Sequence, residues 1–403
     1  MKLVLACLAA LVAMASAKVY FSEKFDDAAW EDRWTVGSEW KPENQMGKWN
    51  WQPSLSDEAD KGIQTGEDAR FYSLTAPLDT EFTSEGNKLI LSYTVRHEQN
   101  LDCGGSYIKL VNPGFDAKKF GGDTPYAVMF GPDVCGTSTR RTHAIFTYKG
   151  KNLLTKKNLR VETDNNPHRY TFVVSPDNTF EVRIDGEKVE SGSLFDDWDF
   201  LAPKMIKDPA ESKPADWVDE AKIPDPTESK PEGWDDIPAK IPDPEATQPE
   251  DWDEEEDGEW EPPLVSNPEY KGEWKPTMID NPDYKGPWVH PEIPNPEYEE
   301  DDKVYAVCNP CSHVGFELWQ VKAGTVFDDI IVTDSEEELK EFEDATFNAK
   351  KDAEKKALEA KKEAERKAEE EARKKAEEER KAAEAAEEDE DEDEDEDDEK
   401  DEL

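Results

Sequence analysis

Between Val19 and about Phe200 the apolar residues fall in short runs broken by polar and turn-forming residues. "KLILSYTV" (88–95), "YAVMF" (126–130), "THAIFTY" (142–148) and "RYTFVV" (169–174) are rich in β-branched and aromatic side chains and too short for typical helices. "FEVRIDGEKVE" reads as two alternating stretches joined by Asp185-Gly186, the dipeptide that suits a type I′ turn, and so predicts a hairpin. Many short strands between turn signals predict a sandwich of two antiparallel sheets.

Near residue 203 the pattern changes. Prolines crowd in and two repeats appear. The first reads "IKDPAESKPADW", "IPDPTESKPEGW" and "IPDPEATQPEDW", ending on Trp217, Trp234 and Trp252. The second reads "GEWEPPLVSNPEYK", "GEWKPTMIDNPDYK" and "GPWVHPEIPNPEYE", with Trp260, Trp274 and Trp288 in step with Tyr270, Tyr284 and Tyr298. Prolines and charges this dense cannot build a compact core. A bare linker, however, has no use for a tryptophan in every copy. The pattern predicts a long hairpin arm over 203–299. It runs out through the first repeat and back through the second, with small clusters across it. Its tip falls at 253–263, "DEEEDGEWEPP". Strand character returns at 303–308 ("KVYAVC") and 316–334, too little to fold alone. These segments are expected to rejoin the first sandwich, dividing the β domain into 18–202 and 300–334.

From Ser335 the pattern is helical: Ala, Glu and Lys dominate, with no Gly or Pro. Ser335 and Glu338 form a capping box, and opposite charges stand four apart. One helix is expected over 335–386. Its distal part lacks the apolar stripe of a coiled coil. Every residue from Glu387 to Glu399 is acidic, and self-repulsion predicts that this block, which opens the tail 387–403, is disordered unless cations screen it.

Charge sharpens the picture. The formal net charge of the chain is −49. A polyanion repels phosphates, so no nucleic-acid partner is expected, whereas hard cations are attracted. Residues 1–17 have the basic start, apolar run and Ala15-Ser16-Ala17 ending of a secretory signal. The run falls short of the ~20 residues needed to span a bilayer, so no membrane span is expected. The chain ends Lys400-Asp401-Glu402-Leu403, a retention address for the endoplasmic reticulum read by the KDEL receptor. That compartment permits disulfides, and four cysteines remain after the signal: Cys103, Cys135, Cys308 and Cys311.

"HEQNLDCGGSYIKL", "YAVMFGPDVCG", the paired proline repeats, the acidic tail and KDEL together resemble the calreticulin and calnexin family of lectin chaperones. The resemblance spans essentially the whole mature chain. It implies a mainly β fold: a legume-lectin-like (concanavalin-like) antiparallel sandwich interrupted by the arm and followed by the acidic helix and tail. It also implies binding of monoglucosylated N-glycans on glycoproteins, and calcium as the bound ion. Tyr107, Lys109, Tyr126, Met129, Asp133 and Glu317 would line the sugar site, with Trp319 beside it. Glu317 stands where the family usually has Asp. Gly104 and Gly105 are read as leaving the sugar room near the backbone. Aromatic faces suit the apolar face of a sugar, and hydroxyls and carboxylates suit its edge.

A calcium site would take the backbone carbonyls of Lys24, Ala59 and Lys61 and the side chain of Asp328, while the tail would bind calcium weakly at many places. At the arm tip, Glu255, Asp257, Glu259 and Trp260 would recruit a protein disulfide isomerase family member. Cys103 and Cys135 are expected to form a disulfide. Cys308 and Cys311 leave three readings: a loop-stiffening disulfide, free thiols, or a metal or redox pair. No compact pair of catalytic carboxylates and no nucleophile elbow is found, so a binding protein and not an enzyme is expected; a monomer is expected as well.

Overall fold

The computed structural model describes residues 18–99, 102–252 and 258–398. They divide into two compact units, residues 18–202 with Glu299 onward, and Pro203–Tyr298.

The first unit is a sandwich of two eight-stranded sheets whose paired strands run antiparallel. In one sheet the order is Glu187–Ser193, Thr179–Ile184, His168–Val174, Leu89–His97, Thr325–Thr333, Lys61–Thr65 and Trp49–Pro53, with Val19–Glu23 also on Thr325–Thr333. In the other it is Lys151–Leu154, Thr139–Tyr148, Val128–Cys135, Cys103–Gly105, Cys311–Gln320, Arg70–Phe82 and Thr35–Val36. Ile108–Val111 pairs with both Val128–Cys135 and Cys311–Gln320. The hairpin at 185–186 forms, with Asp185 at φ 56° and Gly186 at φ 82°, the two positive angles a type I′ turn needs.

Period-two alternation decides which side chains fill the space between the sheets. From the second sheet these are Ile108, Leu110, Phe130, Ala144, Phe146, Phe316 and Leu318. They meet Tyr93, Tyr170, Phe172 and Phe327 of the first; Phe130 stacks on Phe172 with centroids 5.0 Å apart, and Phe316 packs tilted on Phe327 at 4.3 Å. Leu89–His97 and Thr325–Thr333 are buried along their whole length, on both faces. The second face of these strands is covered by the C-terminal helices, where Leu339 and Phe342 close over Ile90, Val173 and Ile331.

The segment 303–308 is not a strand. It is a turn held by Ala306 N–H donating to Lys303 O. Val304, Tyr305 and Cys308 are buried by inserting into the core, and the backbone partner is Ser84, which exchanges bonds with Cys308. A run of apolar residues needs only burial, and here a loop supplies it.

The single helix expected from 335 is two helices, Glu336–Ala345 and Phe347–Asp398. Ser335 caps the first, its Oγ accepting from Glu338 N–H at 3.2 Å. The break falls at Thr346 (φ −118°, ψ −98°), a buried β-branched residue whose hydroxyl donates to Phe342 O. Ion pairs four apart follow along the long helix, Glu370 with Lys374 and Glu377 with Lys381 among them. The long helix also continues through the acidic block to Asp398, where disorder was expected. Extending a helix already nucleated upstream costs far less than starting one, and this carries the helix into the block. Residues 1–17, 100–101, 253–257 and 399–403 lie outside the described residues.

The second unit is the hairpin arm. Three short ladders repeat along it: Met205–Lys207 with Glu292–Pro294, Lys222–Pro224 with Met278–Asp280, and Lys240–Pro242 with Leu264–Ser266. Each tryptophan of the outgoing repeat donates its indole N–H to a glycine carbonyl of the returning repeat or tip: Trp217 to Gly286, Trp234 to Gly272, Trp252 to Gly258. Those glycines have φ between 79° and 97°, which side chains resist. Asn267, Asn281 and Asn295 cross the other way, to the carbonyls of Pro238, Glu220 and Pro203. The arm is thus one rung used three times.

Candidate functional site

The outer face of the second sheet carries a small cluster of its own. Val111, Phe120, Tyr126, Met129 and Ile145 pack together there, with Tyr107 and Phe115 against them. Register explains the gathering. Lys109 stands opposite Met129, which stands opposite Ile145; Gly105 stands opposite Asp133. Alternation along Cys311–Gln320 sends Phe316 and Leu318 inward and leaves Glu317 and Trp319 on the outer face.

At the centre is a buried ion pair: Lys109 Nζ lies 2.7 Å from Glu317 Oε2, with both side chains largely removed from water. The same ammonium sits 4.7 Å from the Tyr126 ring centroid. The rest of the edge is Asp133, whose Oδ2 is 2.8 Å from His143 Nε2, and Tyr107, whose ring meets His143 edge-on at 6.4 Å. Trp319 is 38% exposed and packs on Phe71 with centroids 4.6 Å apart. Burial, with Glu317 adding to it, pushes the Tyr126 phenol up to about 12. Burial raises Tyr107 also, so both phenols stay protonated and can donate.

The seven residues read from the resemblance therefore lie on the outer face of one sheet. His143, Ile145 and Phe71 belong to the same neighbourhood and were not read. The alternation in "THAIFTY" puts His143 and Ile145 on one face, but nothing in sequence says which face meets Lys109.

Gly105 has a different role from the one expected. A Cβ there would lie 2.3 Å from the Tyr107 ring. The bare backbone makes room for the tyrosine itself and so fixes the ring beside Asp133. Cys103 and Cys135 are bonded, directly opposite in register, which staples this strand to its neighbour. Cys308 and Cys311 are also bonded and fully buried, so of the three readings the loop-stiffening disulfide is the one found.

The first sheet carries the other predicted site. Asp328 is buried; its Oδ1 accepts from Asp329 N–H at 2.8 Å. Lys61 opens the strand Lys61–Thr65, with its ammonium over the Trp51 ring. Ala59 sits in the preceding turn, closed by Ser54 N–H to Asp60 O. A Cβ on Gly62 would lie 3.6 Å from Asp328 Cβ, so this turn and Asp328 are neighbours. Lys24 follows the strand Val19–Glu23, its N–H donating to Glu23 Oε1. Among the described residues no three His, Cys, Asp or Glu side chains are grouped as a metal centre. The donor chemistry nevertheless suits a hard cation: Asp60 Oδ2 and Asp329 Oδ1 are buried carboxylate oxygens without a hydrogen-bond partner. Burial, and then the charge of Asp329, raise the Asp328 carboxyl well above the usual range.

At the arm tip, Glu259 is exposed and Trp260 half-buried, while Glu255 and Asp257 lie outside the described residues.

The Calreticulin family profile matches residues 21–257 and 256–332. The chain belongs to the calreticulin family. It is 59% identical over 362 residues to calreticulin of Chlamydomonas reinhardtii, covering 87% of this chain and 84% of that one. To calreticulin of Euglena gracilis it is 58% identical over 339 residues, covering 83% of each. Among solved structures, the T. cruzi calreticulin globular domain aligns with a TM-score of 0.60 and 29% identity, over 86% of this chain and 100% of that chain. Family membership supports a lectin chaperone. Among the described residues no helix is long and apolar enough to cross a membrane.

Proposed function

We propose that this chain is a calcium-binding lectin chaperone of the endoplasmic reticulum lumen that holds monoglucosylated N-glycans on newly made glycoproteins. In this reading its arm recruits a protein disulfide isomerase through Trp260 and its acidic neighbours, its end is read by the KDEL receptor, and its tail buffers calcium. One observation carries the sugar reading: a buried Lys109–Glu317 pair on the outer face of the second sheet, ringed by Tyr107, Tyr126 and Met129 with Asp133 at the edge. A buried ion pair is seldom there for stability alone. Here it presents a charged donor and a charged acceptor in fixed positions, with two protonated phenols beside them. A pyranose fits that arrangement: its hydroxyls exchange bonds with Lys109, Glu317 and Asp133, and its C–H face rests on aromatic and Met surface.

The test is calorimetry of the full chain with a monoglucosylated oligosaccharide. Tyr107→Ala and Asp133→Ala are expected to weaken binding at least tenfold with an unchanged circular dichroism spectrum. Equal affinity in both variants refutes the site. Release of free glucose in the same samples would favour a glycoside hydrolase over a lectin.

A further inference from the structure

The long helix delivers a lysine into the acidic cluster of the first sheet. Lys350 Nζ lies 2.6 Å from Asp60 Oδ1, 2.8 Å from Asp328 Oδ2 and 3.1 Å from Asp329 Oδ2. Three carboxylates thus converge on one ammonium. Two of their oxygens, Asp60 Oδ2 and Asp329 Oδ1, still have no partner, and Asp329 is 1% exposed. Arg169 also faces Asp329: its Nε donates to Glu343 and its Nη1 to the Asp329 carbonyl, while its Nη2 has no hydrogen-bond partner. A cavity of about 30 Å³ lies here, lined by Asp60, Asp328 and Glu354 and by Arg96, Lys350 and Lys351, with room for one water-sized group.

The lysine does not arrive alone. Phe347, Lys350, Glu354 and Leu358 follow at helical spacing on one side of the helix. Phe347, Glu354 and Leu358 are buried, and Glu354 accepts from both the N–H and the hydroxyl of Ser56. Ser56 belongs to the turn that holds Asp60. Seating this face of the helix and filling the cluster are therefore one event.

We propose that Lys350 is a tethered counter-cation, so that a divalent cation bound through Asp328 and the seated start of the long helix exclude each other. An ammonium and a hard cation claim the same oxygens, and like charges at that range repel strongly. Whatever factor seating takes from cation affinity, the cation takes from seating. The long helix is then a calcium-released element, held on the sandwich when calcium is scarce. This rests on the calcium reading above, but it concerns the helix.

The probe is calcium itself on the full chain, in salt high enough to suppress weak binding by the acidic block. Uptake lost in Asp328→Asn defines the site. Lys350→Met is expected to raise calcium affinity at that site at least tenfold. Because this variant could also loosen the helix, a second measurement uses the native lysine. Spin labels at Glu58→Cys and Lys361→Cys, both exposed positions, report the distance between the turn and the helix. Calcium is expected to lengthen and broaden that distance, and Asp328→Asn to abolish the change. Asp328-dependent uptake with an unmoved distance, and affinity in Lys350→Met within twofold of the parent, overturns the inference alone. No Asp328-dependent uptake in either chain overturns the specific calcium site as well.

Discussion

His97 makes acid stability a quantitative test of the sandwich. It ends the strand Leu89–His97, is 6% exposed, and its Nε2 lies 2.7 Å from Ser106 Oγ, beside the glycine strand of the candidate sugar site. Burial, with the nearby charge of His168, pushes the imidazole down to about 4 from 6.5. The folded state therefore resists a proton that the unfolded chain accepts. Stability is full above about pH 6.5, falls as pH drops below it, and levels off below about pH 4. The two values give a loss of about 2 kcal/mol between pH 7 and pH 5, and about 3 kcal/mol by pH 4. Guanidinium unfolding followed by tryptophan fluorescence, at both pH values in calcium-free buffer, measures the total. Many carboxylates contribute to that total, so the comparison is with His97→Gln, which keeps a polar partner for Ser106 but cannot titrate. The variant should lose about 2 kcal/mol less than the parent over this interval. Equal losses would refute the reasoning, as would an imidazole titrating by NMR near 6.5.

The two disulfides should differ in worth: their sequence separations are 32 and 3 residues, and loop entropy gives roughly 4 against roughly 2 kcal/mol. Cys103→Ser with Cys135→Ser should therefore cost more in chemical denaturation than Cys308→Ser with Cys311→Ser. In the arm, Trp234→Phe keeps the ring and removes the bond to Gly272, so amide exchange should quicken around 272 and 234 while the other two rungs keep theirs. Deleting 387–399 should lower low-affinity calcium capacity in equilibrium dialysis without altering Asp328-dependent uptake; full retained capacity would remove the tail as a buffer.

How far the sequence could be read depended on whether a signal was local. Strands announced by alternation, the 185–186 hairpin and the three-fold arm are local, and all appear in the fold. The turn at 303–308 was misread because burial by insertion and burial by pairing demand the same side chains. The break at Thr346 escaped notice because its cause is tertiary: the helix stops where the chain must swing Phe347 onto the sandwich. In the site, Tyr107 and Lys109 were legible as neighbours, whereas His143 reaches Asp133 only through register. Lys350 carried no signal at all. Among the many lysines of "NAKKDAEKKALEAKK" nothing distinguishes the one that faces three aspartates.

The strands Cys311–Gln320 and Thr325–Thr333 lie in the middle of the two sheets, yet the ribosome makes them last. Until residue 333 emerges, Leu89–His97 and Arg70–Phe82 each lack a neighbour, and both sheets stand open at their centres. Such gaps invite strand pairing with other chains. The arm limits the hazard in time. Its rungs all lie within the arm, from the tip rung Lys240–Pro242 with Leu264–Ser266 down to Met205–Lys207 with Glu292–Pro294, which brings the two ends of the insertion together. Closing a loop of roughly 100 residues then costs no more than closing one of roughly 15, a saving of about 2 kcal/mol. The pairing at the base of the arm thus shortens the loop that the last two strands must close.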